Sequence, residues 1–329
     1  MTASLRGRAS IVIPVFNQVF FTMLCLRSLE PEQDDAEIVV VDNGSSDQTP
    51  KVLADWAAAG ANRRYVTIGE NLGFARGCNA GAHAAEREFL VFLNNDTVVT
   101  EGWLEHLLEP FIEDEKVMIT GSRLLYPSGH IQHAGVAFDA DGPHHVFVGM
   151  PGDSPVATAR RDFQVVTGAS LAIRADEFRR QGGFDDAFKN SFEDVDLCLR
   201  VRRDGGRVVY APDSVAYHFE SMSDGRLGPS DMRNYNLFMS RWAKTFVTDL
   251  TELEREAVEA GVDLAKDRVP SRREVIDAAA RTKDLEARVR GLEAHASGLE
   301  AEITGLKALL SRRSVRLTLW ARDHLRLRP

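Results

Sequence analysis

Short runs of β-branched and aromatic residues alternate with segments of helical length between residues 10 and 120. The apolar runs lie at 11–13, 38–41, 65–68 and 89–93, and the segments between them at 17–29, 48–59 and 74–86. Strands that are apolar throughout and separated by helices are typical of parallel βαβ units, whose sheets are covered on both faces. The pattern therefore predicts an open, mainly parallel α/β sheet flanked by helices.

The residues directly after each predicted strand are polar. Asn17 follows the first strand, and the segments 42–47, 70–73 and 94–97 follow the next three. Ligands of open α/β sheets bind at the carboxyl ends of the strands, so these residues are candidates for a ligand site. Each segment alone also fits an ordinary turn or helix N-cap, because Asn, Asp, Ser and Gly favour those positions.

The periodicity weakens after the fourth strand. Residues 121–165 are rich in Gly, Pro and His, which predicts loops and a hairpin, and a strand-like run follows at 165–173. The segment 193–201 has helical spacing and stops at Gly205-Gly206. Acidic residues at its start and arginines at its end complement the helix dipole, so we predict a helix there.

A heptad pattern marks the C-terminal part of the chain. Apolar residues recur at alternating intervals of four and three, at Leu285, Val289, Leu292, Ala296, Leu299, Ile303, Leu306 and Leu310. Helices with such seams pair with another helix more often than they pack on their own domain, so we predict self-association. The predicted organisation is an α/β domain at 1–245, a helical linker at 246–280, a coiled coil at 281–311 and a basic amphipathic tail at 312–329.

The charge distribution limits the classes of partner. Forty Lys and Arg against 49 Asp and Glu give a net charge of −9, which argues against a nucleic-acid binder that works through bulk positive charge. The tail nevertheless holds six arginines against Asp323, interleaved with apolar residues. Such a segment suits an anionic membrane surface, and it also fits a solvated tail.

Cysteine usage and hydropathy point to a reducing compartment. The three cysteines, Cys25, Cys78 and Cys198, form neither a disulfide framework nor a metal-binding pair. Apolar stretches stay well below the roughly 18 to 20 residues that cross a bilayer. We therefore expect a cytoplasmic protein with, at most, peripheral contact with the inner face of a membrane.

Two common nucleotide-binding motifs, GxGxxG and GxxxxGK[ST], are absent, which disfavours a Rossmann dehydrogenase or a P-loop enzyme. Six other short motifs occur in the order seen in family 2 glycosyltransferases of the GT-A fold, and the resemblance covers residues 10–245. These motifs are Pro14-Val15-Phe16-Asn17, the segments 41–47 and 70–75, Leu93-Asn94-Asn95-Asp96-Thr97, Gly182-Gly183-Phe184-Asp185 and the segment 192–197.

The resemblance implies inverting transfer of a sugar from a nucleoside diphosphate sugar to a hydroxyl of a glycan or lipid-linked acceptor. The family most often serves surface polysaccharide or O-antigen assembly, and rhamnosyl transfer is one such reaction. Asp42 matches the residue that binds the base or ribose, and Asp96 matches the last residue of the DxD element that holds Mn²⁺ or Mg²⁺. His218 matches a further metal or diphosphate contact. The remaining donor-site matches are Pro14, Val15, Asn17, Asn71, Arg76, Asn94 and Asn95.

The resemblance also assigns the catalytic carboxylates. Inversion needs one carboxylate that takes the proton of the acceptor hydroxyl as its oxygen attacks the anomeric carbon. Asp194 matches that base, Glu193 is left for acceptor positioning, and Asp196 for capping the helix. Without this context, the three acids would fit simple capping of a helix about as well.

Two departures from the family pattern keep other functions open. The DxD position reads Asn94-Asn95-Asp96, so it offers one carboxylate, which gives His218 more weight as a ligand and also motivates a non-catalytic scaffold that acts through the coiled coil. Arg76 lies two residues before the position where many relatives carry an arginine. A nucleotidyltransferase is disfavoured because no Gly-rich, basic loop follows strand one. We interpret the loop histidines as loop or acceptor-pocket residues, not as a zinc site: His130, His133, His144 and His145.

Overall fold

A computed structural model describes residues 5–32, 35–219 and 229–264, and the single positions 268, 288, 289 and 304. The described strands are β1 (Ala9–Val15), β2 (Glu37–Asp42), β3 (Arg63–Thr67), β4 (Phe89–Leu93), β5 (Thr97–Val99), β6 (Val117–Leu125), β7 (Ile131–His133), β8 (Val136–Asp139), β9 (Gly142–His145), β10 (Arg161–Asp162), β11 (Ser170–Arg174) and β12 (Arg207–His218). The described α-helices are α1 (Val19–Ser28), α2 (Thr49–Ala58), α3 (Phe74–Ala84), α4 (Trp103–Leu108), α5 (Pro110–Glu113), α6 (Ala175–Arg180), α7 (Glu193–Arg203), α8 (Pro229–Trp242) and α9 (Leu250–Glu259).

The first four strands form the parallel half of a large sheet, with the spatial order β4-β1-β2-β3. β2 and β4 are buried at every position, because helices cover both faces. The predicted strands and the helices between them are confirmed. The chain adds β2 and β3 on one side of β1 and then places β4 on the other side, so the strand order reverses between β1 and β4. In such sheets a crevice opens at this point, at the carboxyl ends of the two strands.

The other half of the sheet is mixed, so the expectation of a mainly parallel sheet is wrong there. β11 lies antiparallel between β4 and β6, and β12 runs parallel to β6. The chain does not pass from β4 to β11 through a single crossover helix. It first forms β5 to β10, and it enters β11 from the opposite end of the sheet.

Strand β6 extends to Leu125, into the stretch that we expected to form loops. Its Gly121 and Ser122 interrupt the apolar run, yet both are required by the packing. A Cβ at Gly121 would lie 2.4 Å from the Cβ of Val166. The Ser122 hydroxyl is buried and lies 2.7 Å from that of Ser170. The expected hairpin is confirmed as the antiparallel pair β8–β9.

Two apolar clusters lie on opposite faces of the sheet. One contains residues of α1 and α4, such as Leu26 and Trp103, and the other contains residues of α3 and α7, such as Cys78 and Leu197. Helix α3 lies close to the strands because it has a glycine where a side chain would collide: a Cβ at Gly81 would lie 2.3 Å from Val12. This close packing places the start of α3 beside the polar ends of β1 and β2.

The compact unit that contains the sheet runs from Met1 to Val269, beyond the boundary expected at 245. Helix α9 belongs to it, since Asp249 accepts a hydrogen bond from the Phe138 N–H at 2.7 Å and donates its own N–H to the Phe138 carbonyl. The predicted coiled coil at 281–311 and the tail at 312–329 lie outside the described residues, apart from three single positions. Among the helices that the structure describes, none is long and apolar enough to span a bilayer.

Candidate active site

The loops after β1 and β2 are joined by the side chain of Asn17. Its Oδ1 accepts the N–H of Ser46 at 2.8 Å, and its own N–H donates to the Ser45 hydroxyl at 2.7 Å. The Asn17 backbone is left-handed, with φ of 56°. Such a conformation in a non-glycine residue is sparsely populated and clusters at functional sites. Asn17 thus shapes the rim of the crevice through bonds within the protein.

Asp42 lies at the buried end of β2. Its Oδ1 accepts the Ser45 N–H at 2.8 Å and its Oδ2 accepts the Tyr65 hydroxyl at 3.0 Å. Burial, together with the hydrogen bond to Asp42, raises the pKa of Tyr65, so this phenol stays protonated and holds the carboxylate. The carboxylate keeps further acceptor capacity, since two oxygens offer about four lone-pair sites.

Asn43 connects the ends of β2 and β3. Its Nδ2 donates to Asn71 Oδ1 at 3.2 Å, and its Oδ1 accepts the Leu72 N–H at 3.0 Å. The close approach of the two loops requires Gly44, where φ is 81° and a Cβ would lie 2.6 Å from the Glu70 Cα. Asn43 is therefore a site-building residue that our sequence analysis did not single out, and Asn71 is held in place by it.

Residues of β1 occupy the floor of this region. Val15 is packed in the core at 1% exposure, and its carbonyl accepts the Asn43 N–H at 2.7 Å. Pro14 is half-buried against α3, where a Cβ at Gly77 would lie 3.3 Å from the Pro14 Cβ. The Val15 side chain therefore supports the site from below and does not line the crevice.

The turn after β4 and the end of β12 bring three predicted residues together. His218 Nε2 lies 3.1 Å from Asp96 Oδ1 and 3.2 Å from Asn94 Nδ2. Asp96 and His218 are both buried, at 5% exposure each. Asn95 points the other way and donates to the Thr22 hydroxyl on α1 at 2.9 Å. β5 pairs with the end of β12, which fixes His218 opposite Asp96.

The pair Asp96 and His218 fits a divalent cation. Adjacent ligands on an octahedral ion with bonds of about 2.1 Å are about 3 Å apart, which matches the observed 3.1 Å between Asp96 Oδ1 and His218 Nε2. Within the described part of the chain, no group of three or more His, Cys, Asp or Glu side chains could hold a metal. Asp96 and His218 would supply two ligands, and such sites are commonly completed by water and substrate phosphates.

Asp194 lies in the first turn of α7, next to the segment that enters β11. Its Oδ2 accepts the Gly168 N–H at 2.7 Å, and its Oδ1 accepts the N–H of Val195 at 2.8 Å. A Cβ at Gly168 would lie only 3.2 Å from the Asp194 Cβ, so glycine allows this approach. The next residue, Ala169, accepts the Asn94 N–H at 3.0 Å. Residues 168–169 therefore connect Asp194 directly to the turn that carries Asp96.

The two neighbouring acids face inward. Glu193 is 5% exposed. The pKa of the Cys78 thiol on α3 is raised, mainly because the thiol is buried and further because the negative charge of Glu193 is near. Asp196 does not cap the helix as we expected. Its carboxylate pairs with Arg200 at 2.7 Å and accepts the Trp242 indole N–H at 2.9 Å, so it joins α7 to α8. Asp194 is the most accessible of the three carboxylates.

The loop before α7 also stabilises the start of α3. Asn190, with φ of 60°, accepts the Phe74 N–H at 2.9 Å. Arg76, two residues further along α3, pairs with Asp186 at 2.8 Å, and both side chains are about half exposed. The structure thus places Arg76 at the α3 edge of the site, against an acid rather than beside Asp96.

Two histidines from the loop-rich stretch form a pair next to these groups. His133 is fully buried on β7, and its Nδ1 lies 2.8 Å from Nδ1 of the exposed His145. The N–H of Thr167 donates to His133 Nε2 at 3.4 Å. Burial, and to a smaller extent electrostatic interaction with the His145 and His218 rings, lowers the pKa of His133 well below its ordinary value of 6.5. His133 is therefore neutral, and its ring holds His145 by the contact between their Nδ1 atoms.

Sequence reasoning missed Gly168 and Gln132, and it placed Asn43 in a candidate segment without giving it a role. Gln132 precedes His133 on β7, and its Oε1 lies 2.6 Å from His218 Nδ1. Neither residue stands at the end of a predicted parallel strand, which was the signal that identified the others.

Comparison with known proteins agrees with this architecture. A family model described as "Glycosyl transferase family 2" matches residues 10–132, and another, "Glycosyl transferase family group 2", matches residues 89–246. The solved structure of GalNAc-T7 with UDP, GalNAc and Mn²⁺ aligns with a TM-score of 0.58 at 18% identity, over 70% of this chain and 47% of that one. At this identity the likeness shows the fold, which resembles that of GT-A neighbours.

Two curated relatives share more sequence. The chain is 31% identical over 229 residues to the O-antigen biosynthesis protein RfbC of Myxococcus xanthus, a match that covers 66% of this chain but only 18% of that protein's length. It is 25% identical over 230 residues to the N-acetylglucosaminyl-diphospho-decaprenol L-rhamnosyltransferase of Mycobacterium tuberculosis, covering 63% of this chain and 73% of that enzyme. Together with the ordered motifs and the two overlapping family matches, which span residues 10–246, these relationships show that the chain is a member of the family 2 glycosyltransferases.

Proposed function

We propose that this protein transfers a sugar, with inversion, from a nucleoside diphosphate sugar to an acceptor hydroxyl, and that Asp194 is the general base. The observation that carries the proposal is the connection from Asp194 through residues 168–169 to Asn94. This connection supports a carboxylate base close to the Asp96–His218 pair, which would bind the diphosphate through a cation. Direct displacement needs both, one at the attacking oxygen and one at the leaving group.

Asp194 is suited to remove a proton because it is oriented and still able to accept one. Each of its oxygens takes one backbone N–H, from Gly168 and from Val195, and each keeps a second acceptor position. The two bonds hold the carboxylate in one orientation, which favours reaction with an acceptor hydroxyl that approaches it from the crevice. Glu193 would support this position from behind, where it is buried against α3.

The donor would lie across the ends of β1, β2 and β4. Asp42 would accept hydrogen bonds from the base or ribose, in a pocket shaped by Asn17, Asn43 and Asn71. The diphosphate would then reach the turn at Asn94-Asn95-Asp96, and Arg76 at the start of α3 is a further candidate to bind it. Asn95 holds this turn against α1 through Thr22.

Asp96 and His218 would hold a divalent cation, which when bound neutralises charge on the departing diphosphate. Mg²⁺ takes oxygen ligands, whereas an imidazole together with a carboxylate also suits a transition metal such as Mn²⁺. We therefore favour Mn²⁺. The structurally similar GalNAc-T7 was solved with Mn²⁺ and UDP, which supports this choice.

The relatives narrow the acceptor class that we propose. One is named for O-antigen biosynthesis and another for rhamnosyl transfer to a lipid-linked sugar. By analogy, we propose a glycan or lipid-linked acceptor in surface polysaccharide assembly, with a deoxyhexose such as rhamnose as one donor sugar to test. Because the chain spans only 18% of the O-antigen biosynthesis protein, we attribute no further activity of that protein to this chain.

A screen of nucleotide sugars for slow hydrolysis and for transfer tests the proposal, with Mn²⁺ present. The wild-type chain should hydrolyse one donor. Asp194→Asn should hydrolyse it at least about a hundredfold more slowly, because the base is removed while the amide keeps the shape of the side chain. Donor binding, measured by calorimetry, should stay within about threefold of wild type, since the donor touches other residues.

The matched control is Asp213→Asn, at an exposed position on β12. It should leave the hydrolysis rate unchanged. Near-normal turnover by Asp194→Asn would remove Asp194 from the role of base. A wild-type chain that neither binds nor hydrolyses any donor would favour the non-catalytic scaffold.

A further inference from the structure

We propose that Gln132 is a positioning residue that fixes the tautomer of His218 and so prepares its Nε2 to bind the cation. The inference rests on the proposed metal site. Gln132 is 8% exposed in the middle of β7. Its Oε1 lies 2.6 Å from His218 Nδ1, and its Nε2 donates to the His218 carbonyl oxygen at 3.4 Å.

The two contacts determine which end of the Gln132 amide faces which group. A backbone carbonyl oxygen can only accept a hydrogen bond, so the Gln132 NH₂ must be the group that faces it. The amide oxygen therefore faces His218 Nδ1. An amide oxygen also only accepts, so Nδ1 must carry the proton.

The position of this proton decides the chemistry on the other side of the ring. A neutral imidazole carries one proton, so protonation at Nδ1 leaves a lone pair at Nε2. That lone pair faces Asp96 Oδ1, another acceptor, at 3.1 Å. Two acceptors at this distance attract a cation placed between them, whereas the opposite tautomer would place an N–H there and close the site with a hydrogen bond to Asp96.

The backbone around Gln132 makes this orientation rigid. β7 pairs with β6 on either side of Gln132, at Ile131 and at His133. The neighbouring His133 side chain is buried and anchored to Thr167. An outer hydrogen bond that sets the orientation and tautomer of a metal-binding histidine typically contributes a factor of about 10 to 100 in metal affinity.

Three single substitutions in the full chain test the role. Gln132→Leu keeps the approximate size but has no acceptor, and Gln132→Glu keeps an acceptor oxygen. Gln164→Leu is the matched control, because Gln164 has similar burial, 6% exposed, and bonds instead to Asp249 and the Val247 carbonyl. The probe is Mn²⁺ alone, with free Mn²⁺ measured by electron paramagnetic resonance.

We expect Gln132→Leu to weaken Mn²⁺ binding by about tenfold or more, and Gln132→Glu to bind at least as tightly as wild type. Gln164→Leu should retain wild-type affinity even if it lowers stability. Imidazole ¹⁵N spectra of the metal-free wild-type protein should show neutral His218 protonated at Nδ1, and this measurement does not depend on the folding of any variant.

Two results would overturn the inference. One is a folded Gln132→Leu variant whose Mn²⁺ affinity lies within about twofold of wild type. The other is a neutral His218 that carries its proton on Nε2 in the wild-type chain. If the wild-type chain binds no Mn²⁺ while its His218 is protonated at Nδ1, the metal assignment under the proposed function fails instead.

Discussion

Individual residues at the crevice mostly use their hydrogen-bonding groups on one another, and this makes the site rigid before a ligand arrives. Asn17 connects the loops after β1 and β2, Asn43 connects the ends of β2 and β3, and Gly168 orients Asp194. A preorganised site spends less binding energy on ordering its own side chains, so more of it is available in the transition state.

His133 gives a prediction for pH. Its folded-state pKa lies well below 6.5 because the ring is buried, so the unfolded chain binds a proton that the folded chain does not as pH falls below about 6.5. Stability should therefore fall with decreasing pH in this window, by up to about 1.4 kcal/mol per pH unit from this residue. Urea unfolding of wild type and His133→Asn between pH 5 and 7 measures it.

The His133→Asn variant should be less stable at neutral pH and should lack this part of the slope. The control is His144→Asn. His144 is an exposed residue of β9, and its imidazole pairs with Asp139 at 2.9 Å. His144→Asn should retain the steep slope. Equal slopes in wild type and His133→Asn would show that His133 is not held neutral by burial.

At the residue scale, the sequence could predict which residues follow a strand, but not which residues from distant parts of the chain contact them. Asp42 and Asp96 were found because ligand sites occur at the carboxyl ends of parallel strands. Gln132 and Gly168 act through contacts at a separation of 86 and 26 residues, and no local pattern encodes such contacts. The role of Val15 stays a prediction, since its side chain is 1% exposed and it contacts Asn43 through its backbone carbonyl.

At the scale of elements, the packing of α7 determines where Asp194 lies. Asp196 holds this helix against α8 by its bonds to Trp242 and Arg241, and it also pairs with Arg200 on its own helix. The Asp196 side chain is 2% exposed. Breaking a buried ion pair from one side leaves a charge without its counter-ion, which typically costs about 3 to 5 kcal/mol. Arg200 would keep its bonds to the carbonyls of Gln181 and Gly183, which reduces that cost.

We therefore expect Asp196→Ala to lower the free energy of unfolding by about 3 kcal/mol, measured by urea denaturation. Asp186→Ala is the control. Asp186 forms an ion pair with Arg76 in which both side chains are about half exposed. Such pairs contribute about 1 kcal/mol or less. Similar losses in the two variants would contradict a structural role for the buried pair.

The elements that sequence predicted well are those with local signals. The βαβ units and the β8–β9 hairpin follow from apolar runs, helical spacing and turn residues. β6 and β12 were missed because polar or glycine residues interrupt them, and β12 also has an irregular register between Ala211 and Val215. Their stability comes from pairing with each other and from side chains on distant strands.

At the scale of the whole domain, the candidate site draws its residues from both halves of the sheet. The parallel half supplies Asp42 and Asp96, and the mixed half supplies His218 on β12 and the entry to β11 that contacts Asp194. Resemblance in six short motifs was sufficient to predict the family because the motifs sample both halves in order. It could not predict the antiparallel insertion of β11, which lies between motifs.

Self-association through the heptad seam lies outside the described residues and stays a prediction from sequence. Leu299 occupies the centre of the seam, so Leu299→Glu should place a charge in the helix interface and convert an oligomer into a monomer, measured by light scattering. Ala301→Glu adds the same charge two residues later, off the seam, and should leave the mass unchanged. Because the sheet unit ends at Val269, both variants should keep donor binding. An oligomer that survives Leu299→Glu would place the interface elsewhere.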